Sequence, residues 1–127
     1  MERLTIEEVI VIHSAAIQQF GGLHGIRDLK RLTSALARPD QTFAGKMLYS
    51  TVWLQAAALL QSIAMDHPFV DGNKRTALTV AVLFLRWNGW KLSVQHRLLF
   101  HFVIDVVKKR LEVKDIAMWL ENHVKKT

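Results

Sequence analysis

The sequence contains no cysteine among its 127 residues and only two prolines. Without cysteine the chain has no disulfide, no thiolate nucleophile and no cysteine-ligated metal, which is compatible with a reducing cytoplasm. Half of the residues are hydrophobic, which argues against intrinsic disorder, and this length suffices for a domain with its own core. We therefore expect a single domain over residues 1–127.

No apolar segment is long enough to cross a membrane. The longest uncharged apolar run covers residues 76–85, whereas a spanning helix needs roughly 18 residues or more. The first residues include Glu2, Arg3 and Glu7, and they lack the apolar core of a signal peptide. We therefore expect a cytoplasmic protein without a membrane partner.

Acidic residues are outnumbered, since 17 Lys and Arg against 11 Asp and Glu leave a formal net charge of +6. This excess favours an anionic partner such as a nucleotide, a nucleic acid or an acidic protein segment. A general solubility role explains the same excess equally well.

The apolar spacing predicts helices, because no segment alternates polar and apolar residues long enough for a sheet. Thr5 and Glu8 have the spacing of a capping box, Asp28 and Ser93 are further candidate N-caps, and Asn88 is a candidate C-cap. The predicted helices cover residues 5–20, 28–37, 48–65, 74–88, 93–109 and 114–124. Residues 40–46 are predicted to form a loop or a short exposed hairpin.

The segment HPFVDGNKRT, residues 67–76, places polar and turn-forming residues between the two most apolar predicted helices. Turn and capping roles explain Pro68, Gly72 and Asn73. They do not explain Lys74 and Arg75 in the first turn of a helix, where the helix dipole disfavours positive charge. An anion bound between these cations and the free backbone N–H groups does explain them.

A phosphate-bearing ligand accounts for the whole segment, and we favour it over a simple capped turn. Gly72 lets the backbone approach phosphate oxygens, and Lys74 and Arg75 neutralise their charge. Asp71 is the natural ligand for Mg²⁺, and His67 is the one nearby side chain of a type suited to general-base work near neutral pH. Such a set is suited to transferring part of a nucleotide to a hydroxyl group.

The stretch HPFVDGNKR closely resembles the signature of the Fic/Doc family, His-Pro-Phe-x-[Asp/Glu]-Gly-Asn-[Gly/Lys]-Arg. The flanking segments GGLHGIRD, LTSALARP and LFLRWNG are similar to the Doc branch, the toxins of Phd/Doc-type toxin–antitoxin pairs. The resemblance covers nearly the whole chain. It implies an all-α Fic fold of about six helices around a buried central pair, with residues 40–46 as a flap that docks the target.

The resemblance also implies a nucleotide site with ATP and Mg²⁺ as cofactors. His67 would be the base that activates a target hydroxyl, Asp71 would hold Mg²⁺, and Phe69 would fix the loop in the core. The anion hole would consist of four consecutive residues, Gly72, Asn73, Lys74 and Arg75. Arg27, in the otherwise structural GGLHGIRD segment, is a candidate for lining the cleft.

Two positions depart from the AMP-transferring majority of that family. Lys74 replaces a second glycine, and Leu78 stands where those proteins carry a second arginine that binds the diphosphate. The Doc branch is understood to bind its nucleotide reversed. The resemblance therefore implies γ-phosphate transfer to a threonine of elongation factor Tu, which arrests translation, with AMP transfer to a protein hydroxyl as the alternative.

Regulation is expected to come from another protein. Self-inhibited relatives carry [Ser/Thr]-x-x-x-Glu-[Gly/Asn], but Ala117 stands where the hydroxyl should precede Glu121 and Asn122. The resemblance and the net charge imply an acidic, Phd-like antitoxin. A non-catalytic Fic-fold interaction module stays an alternative, and no direct nucleic-acid binding is expected because no recognition helix is apparent.

Overall fold

The computed structural model describes all 127 residues and contains six α-helices and two pairs of short strands. The helices are α1 Ile6–Phe20, α2 Leu29–Ala37, α3 Val52–Asp66, α4 Asn73–Trp87, α5 His96–Lys108 and α6 Val113–Glu121. The strands are β1 Thr42–Phe43, β2 Lys46–Met47, β3 Trp90–Leu92 and β4 Val124–Lys126. The predicted all-α fold is confirmed. None of the helices is long and apolar enough to span a membrane.

Helices α3 and α4 form the buried centre that the sequence predicts. Residues 55–60 of α3 are all buried, and three of them are alanines that let neighbouring helices approach closely. Helix α3 packs against α2, α4, α5 and α6, while α4 packs against α1, α3 and α5. The loop that joins the central pair, residues 67–72, therefore emerges at one end of the core.

Local capping signals predict two helix starts correctly. The Thr5 hydroxyl accepts from the Glu8 N–H at 3.2 Å, and the Glu8 carboxylate accepts from the Thr5 N–H at 2.9 Å. The Asp28 carboxylate accepts from the Arg31 N–H at 3.1 Å at the start of α2. These bonds satisfy N–H groups that the helix itself leaves free.

Three predicted helix bounds are wrong. Helix α3 starts at residue 52, where the Thr51 hydroxyl accepts from the Leu54 N–H, and not at residue 48. Ser93 does not cap α5, because its N–H donates to the His123 carbonyl at 2.7 Å beside the antiparallel β3–β4 pair. The same pair ends α6 early, since Val124 lies opposite Leu92. Pairing between distant segments overrides the local signals at α5 and α6, whereas a local cap missed in the sequence sets the start of α3.

The stretch predicted as a loop or hairpin is a hairpin. Thr42 lies opposite Met47 and Phe43 opposite Lys46. The two connecting residues, Ala44 and Gly45, have φ angles of 53° and 77°, as in the two-residue turns that favour glycine. All residues from 40 to 48 are exposed.

Candidate active site

The loop between α3 and α4 is bounded by two residues in the left-handed conformation. His67 ends α3 with φ 51° and ψ 59°, and Gly72 precedes α4 with φ 76° and ψ 18°. A left-handed residue other than glycine stores about 1 kcal/mol or more, and such residues concentrate at functional sites. The turn leaves the His67 side chain exposed.

The side chain of Asn73 holds the loop from within. Its Oδ1 accepts from the Phe69 N–H and its Nδ2 donates to the Phe69 carbonyl, both at 3.0 Å. The Phe69 ring is fully buried, as the resemblance implied. The Nδ2 also lies 3.5 Å from the His67 Nδ1, so the Asn73 amide contacts both Phe69 and the predicted base, and its backbone N–H stays free for a ligand.

The glycine-rich segment before α2 supports the loop from outside. The Val70 N–H donates to the Gly25 carbonyl, and the Arg27 N–H donates to the Pro68 carbonyl. The Arg27 guanidinium donates to the carbonyls of His67 and Asp66 at 2.8 and 3.1 Å. The prediction that Arg27 lines the cleft is wrong, because the free carbonyls at the end of α3 bind this cation instead.

His13 supports the same loop, and the sequence analysis missed it. Its ring stacks on Phe69 with centroids 3.8 Å apart and planes at 6°. Its Nε2–H donates to the Asp71 carbonyl at 2.7 Å, so Nε2 carries the ring proton. Its spacing of four from Val9 and Ile17, on the buried face of α1, is the signal that would have found it.

One cavity of about 370 Å³ is lined by all six residues predicted as the base, the metal ligand and the anion hole, but not by Arg27. The predicted residues that line it are His67, Asp71, Gly72, Asn73, Lys74 and Arg75. Phe20 at the end of α1 and Phe100 on α5 complete its wall. Neither aromatic residue was predicted, because both are distant from the motif in sequence.

The start of α4 is suited to binding an anion. The first helical bond runs from the Thr76 N–H to the Gly72 carbonyl, and no side chain caps the helix, which leaves the N–H groups of residues 73–75 free. Neither Lys74 nor Arg75 has a carboxylate within ion-pair distance. Free N–H groups, the helix dipole and two unpaired cations therefore act on the same space.

Gly72 is required for two reasons. Its left-handed φ of 76° disfavours a side chain, and a Cβ there would lie 2.9 Å from the Ile17 Cδ1 of α1. The close packing of the loop on α1 thus requires glycine at this position. The sequence indicated only its roles in a turn and in the approach of a ligand.

The Asp71 carboxylate fits an Mg²⁺ ion that arrives with a phosphate. Its Oδ2 accepts from the Leu23 N–H at 2.8 Å, whereas its Oδ1 has no protein hydrogen bond and the residue is exposed at the cavity. No cluster of three His, Cys, Asp or Glu side chains that could hold a metal is present. A single carboxylate suits Mg²⁺, which takes its other ligands from phosphate oxygens and water.

Comparisons with known proteins show the family of this chain. A model of the Fic/DOC family matches residues 3–85. The chain belongs to the Fic/Doc family. It is 47% identical over 92 residues to "Toxin Doc" of Mycolicibacterium smegmatis, covering 72% of this chain and 68% of that protein. It is 38% identical over 89 residues to "Protein kinase doc" of Escherichia phage P1, covering 70% of each.

Leu78 stands at the position where the AMP-transferring pattern of the Fic/Doc family has a second arginine. Leu78 is 3% exposed and belongs to the hydrophobic core. It lines a separate groove beside β3 and α5, not the cavity that Lys74 lines. The cationic side chains of the cavity are therefore those of Lys74 and Arg75.

The stability of this fold should depend on pH through His13. Burial lowers the pKa of His13 below its ordinary value of 6.5, against the opposing effect of the Asp71 hydrogen bond. The folded chain thus favours the neutral ring, whereas the unfolded chain binds a proton near pH 6.5. We expect the free energy of unfolding to fall as the pH drops from that value through the lower folded pKa, in urea titrations at several pH values.

The matched variant is His13→Gln, whose amide can still donate to the Asp71 carbonyl but does not titrate. It should show a flatter decline over this pH range. Equal slopes in the two proteins would contradict the role given to His13.

Proposed function

We propose that this protein is a Doc-type toxin that transfers the γ-phosphate of ATP to a threonine of elongation factor Tu and so arrests translation. The observation that carries the proposal is the uncapped, doubly cationic start of α4 in one cavity with His67 and Asp71. The names of the two relatives, a toxin and a protein kinase, support it. We propose that a single cytoplasmic domain, residues 1–127, carries out this transfer.

The predicted site residues that line the cavity have separate roles in this transfer. The N–H groups of residues 73–75 and the side chains of Lys74 and Arg75 bind phosphate oxygens. The free Oδ1 of Asp71 holds Mg²⁺, which neutralises phosphate charge when bound. His67 takes the proton of the threonine hydroxyl, whose oxygen bonds to the γ-phosphorus as the bond to the bridging oxygen breaks and ADP leaves.

The surroundings of Lys74 favour γ-phosphate transfer over AMP transfer. A second arginine that would hold the diphosphate while the α-phosphate faces the hydroxyl is replaced by the buried Leu78. Leu78 cannot donate a hydrogen bond, and Lys74 places a point charge in the cavity instead.

The test is incubation with elongation factor Tu and ATP labelled at either the α- or the γ-phosphate, followed by intact mass and peptide mapping. We expect label from the γ-position only, a phosphoryl mass increment on one threonine, and ADP as product. Label from the α-position with an adenylyl increment would establish AMP transfer instead. Modification of other proteins but not of this factor would contradict the target.

We also propose that an acidic, Phd-like antitoxin restrains the toxin. An apolar groove of about 270 Å³ between α1, α4 and α5 adjoins the cavity, and Phe20 and Arg75 line both. A segment with apolar and acidic side chains that lies in this groove would bring a carboxylate to Arg75 and block the anion hole. The net charge of +6 favours such a partner.

The antitoxin proposal predicts that expression of this chain alone stops growth, because nothing within it blocks the cavity. Co-expression of the adjacent reading frame should restore growth, measured as colony counts after induction. A chain that is harmless when expressed alone would contradict the proposal.

A further inference from the structure

The guanidinium of Arg75 lies between two aromatic rings. Its Cζ is 3.6 Å from the centroid of Phe20, at the end of α1, and 4.1 Å from the centroid of Phe100, on α5. All three side chains line the candidate active-site cavity. The guanidinium thus lies over the faces of two rings, and three different helices contribute to the arrangement.

The edge of the guanidinium is left without a protein partner. No carboxylate lies within ion-pair distance of Arg75, and its side chain makes no hydrogen bond within the protein. An arginine presents five N–H donors in the plane of the guanidinium, and none of those of Arg75 is used within the protein. Stacking therefore fixes the orientation of the donors while leaving them available to a ligand.

This arrangement compensates for an unfavourable position. A cation in the first turn of a helix is disfavoured by the dipole, and a free arginine side chain has many rotamers. Two cation–π contacts oppose both effects, because they attract the guanidinium and restrict its rotamers. Lys74, the neighbouring cation, has no ring over it.

We propose that Phe20 and Phe100 are positioning residues that hold the donor edge of Arg75 toward a bound polyphosphate. The inference rests on the proposed function, because it takes the cavity to be a phosphate site. Ordering the donors before the ligand arrives lowers the entropy lost on binding. Phe20 and Phe100 together are called the aromatic clamp. Phe100 lies outside residues 3–85, so the family match does not extend to this half of the clamp.

The test uses Phe20→Leu, Phe100→Leu and the double leucine variant, with Phe→Tyr at both positions as the rescue that keeps the rings. Calorimetry measures the affinity for inorganic tripolyphosphate, and the NMR signal of the Arg75 Nε–H reports the ring currents. We expect the double leucine variant to bind tripolyphosphate about tenfold more weakly and to lose the ring-current shift. The tyrosine variants should retain both, and Trp87→Leu, at the other end of α4 and outside the cavity, should change neither.

A double-mutant cycle that combines the leucine substitutions with Arg75→Ala shows whether the rings affect tripolyphosphate affinity through the guanidinium. If they do, the leucine substitutions cause no further loss of affinity once Arg75 is alanine. Equal losses of affinity with and without Arg75 would overturn the inference, and so would an unchanged affinity in the folded double variant. A wild-type Arg75 signal without a ring-current shift, or a wild type that does not bind tripolyphosphate, would overturn it as well. If the double variant does not fold, Phe20→Leu, at the half-exposed ring, decides the question alone.

The outcome for the proposed function is separate. A wild-type protein that binds tripolyphosphate through the clamp but transfers no γ-phosphate would refute the proposed reaction and leave the clamp intact. Transfer that is unaffected by the leucine substitutions, with unchanged tripolyphosphate affinity, would refute only the clamp.

Discussion

Replacing His67 with asparagine is expected to slow phosphate transfer by a factor of about 100 to 10,000, the usual contribution of a general base. Asparagine cannot accept the threonine proton near neutral pH. It does tolerate the left-handed conformation in which the structure holds residue 67. Because the side chain is exposed, the free energy of unfolding should barely change. The measurements are phosphate incorporation into the target and thermal unfolding.

The matched control for this variant is His101→Asn, at an exposed histidine of α5 that does not line the cavity. It should leave both transfer and growth arrest unchanged. Growth arrest that persists in His67→Asn would favour a non-catalytic interaction module over an enzyme.

Replacing Asp71 with asparagine is expected to slow transfer by a factor of about 100 or more, because the site loses the charge that holds Mg²⁺. The shape of the side chain is kept, and the amide oxygen can still accept from the Leu23 N–H, so the loop should keep its position. Titration of ATP binding with and without Mg²⁺ measures the effect. In the wild type Mg²⁺ should strengthen binding, and in the variant it should not.

Asp28→Asn is the control, since Asp28 is another carboxylate that accepts a backbone N–H but lies outside the cavity. Asparagine is an equally good N-cap, so this variant should behave as the wild type. Normal transfer by Asp71→Asn would remove Asp71 from the proposed metal site.

The part of the site that could be predicted is the part that is continuous in sequence. His67 and residues 71–75 belong to one loop and the helix turn that follows it, so their closeness requires no knowledge of the rest of the fold. The two adjacent cations at a helix start break a local electrostatic rule, and a broken local rule is visible in a single sequence.

The residues that support this site could not be placed in the same way. His13 and Phe20 belong to α1 and Phe100 to α5, far from the motif along the chain. Each is an aromatic residue in an apolar helix, where ordinary core packing explains it equally well. Only the packing of α1 and α5 against α4 brings them to Phe69, Asp71 and Arg75.

The sequence by itself determined the six helices, the caps Thr5, Asp28 and Asn88 and the buried central pair, and it predicted an anionic ligand. These features depend on periodicity, capping chemistry and charge within a few residues of each other. The tertiary structure alone decided where α5 begins and where α6 ends, because β3 and β4 pair across more than thirty intervening residues. It also decided that Arg27 closes α3, that His13 holds the loop and that two rings contact Arg75. Those contacts join residues that are far apart in the chain, and no helical or strand periodicity in the sequence indicates them. They form only when the helices pack together.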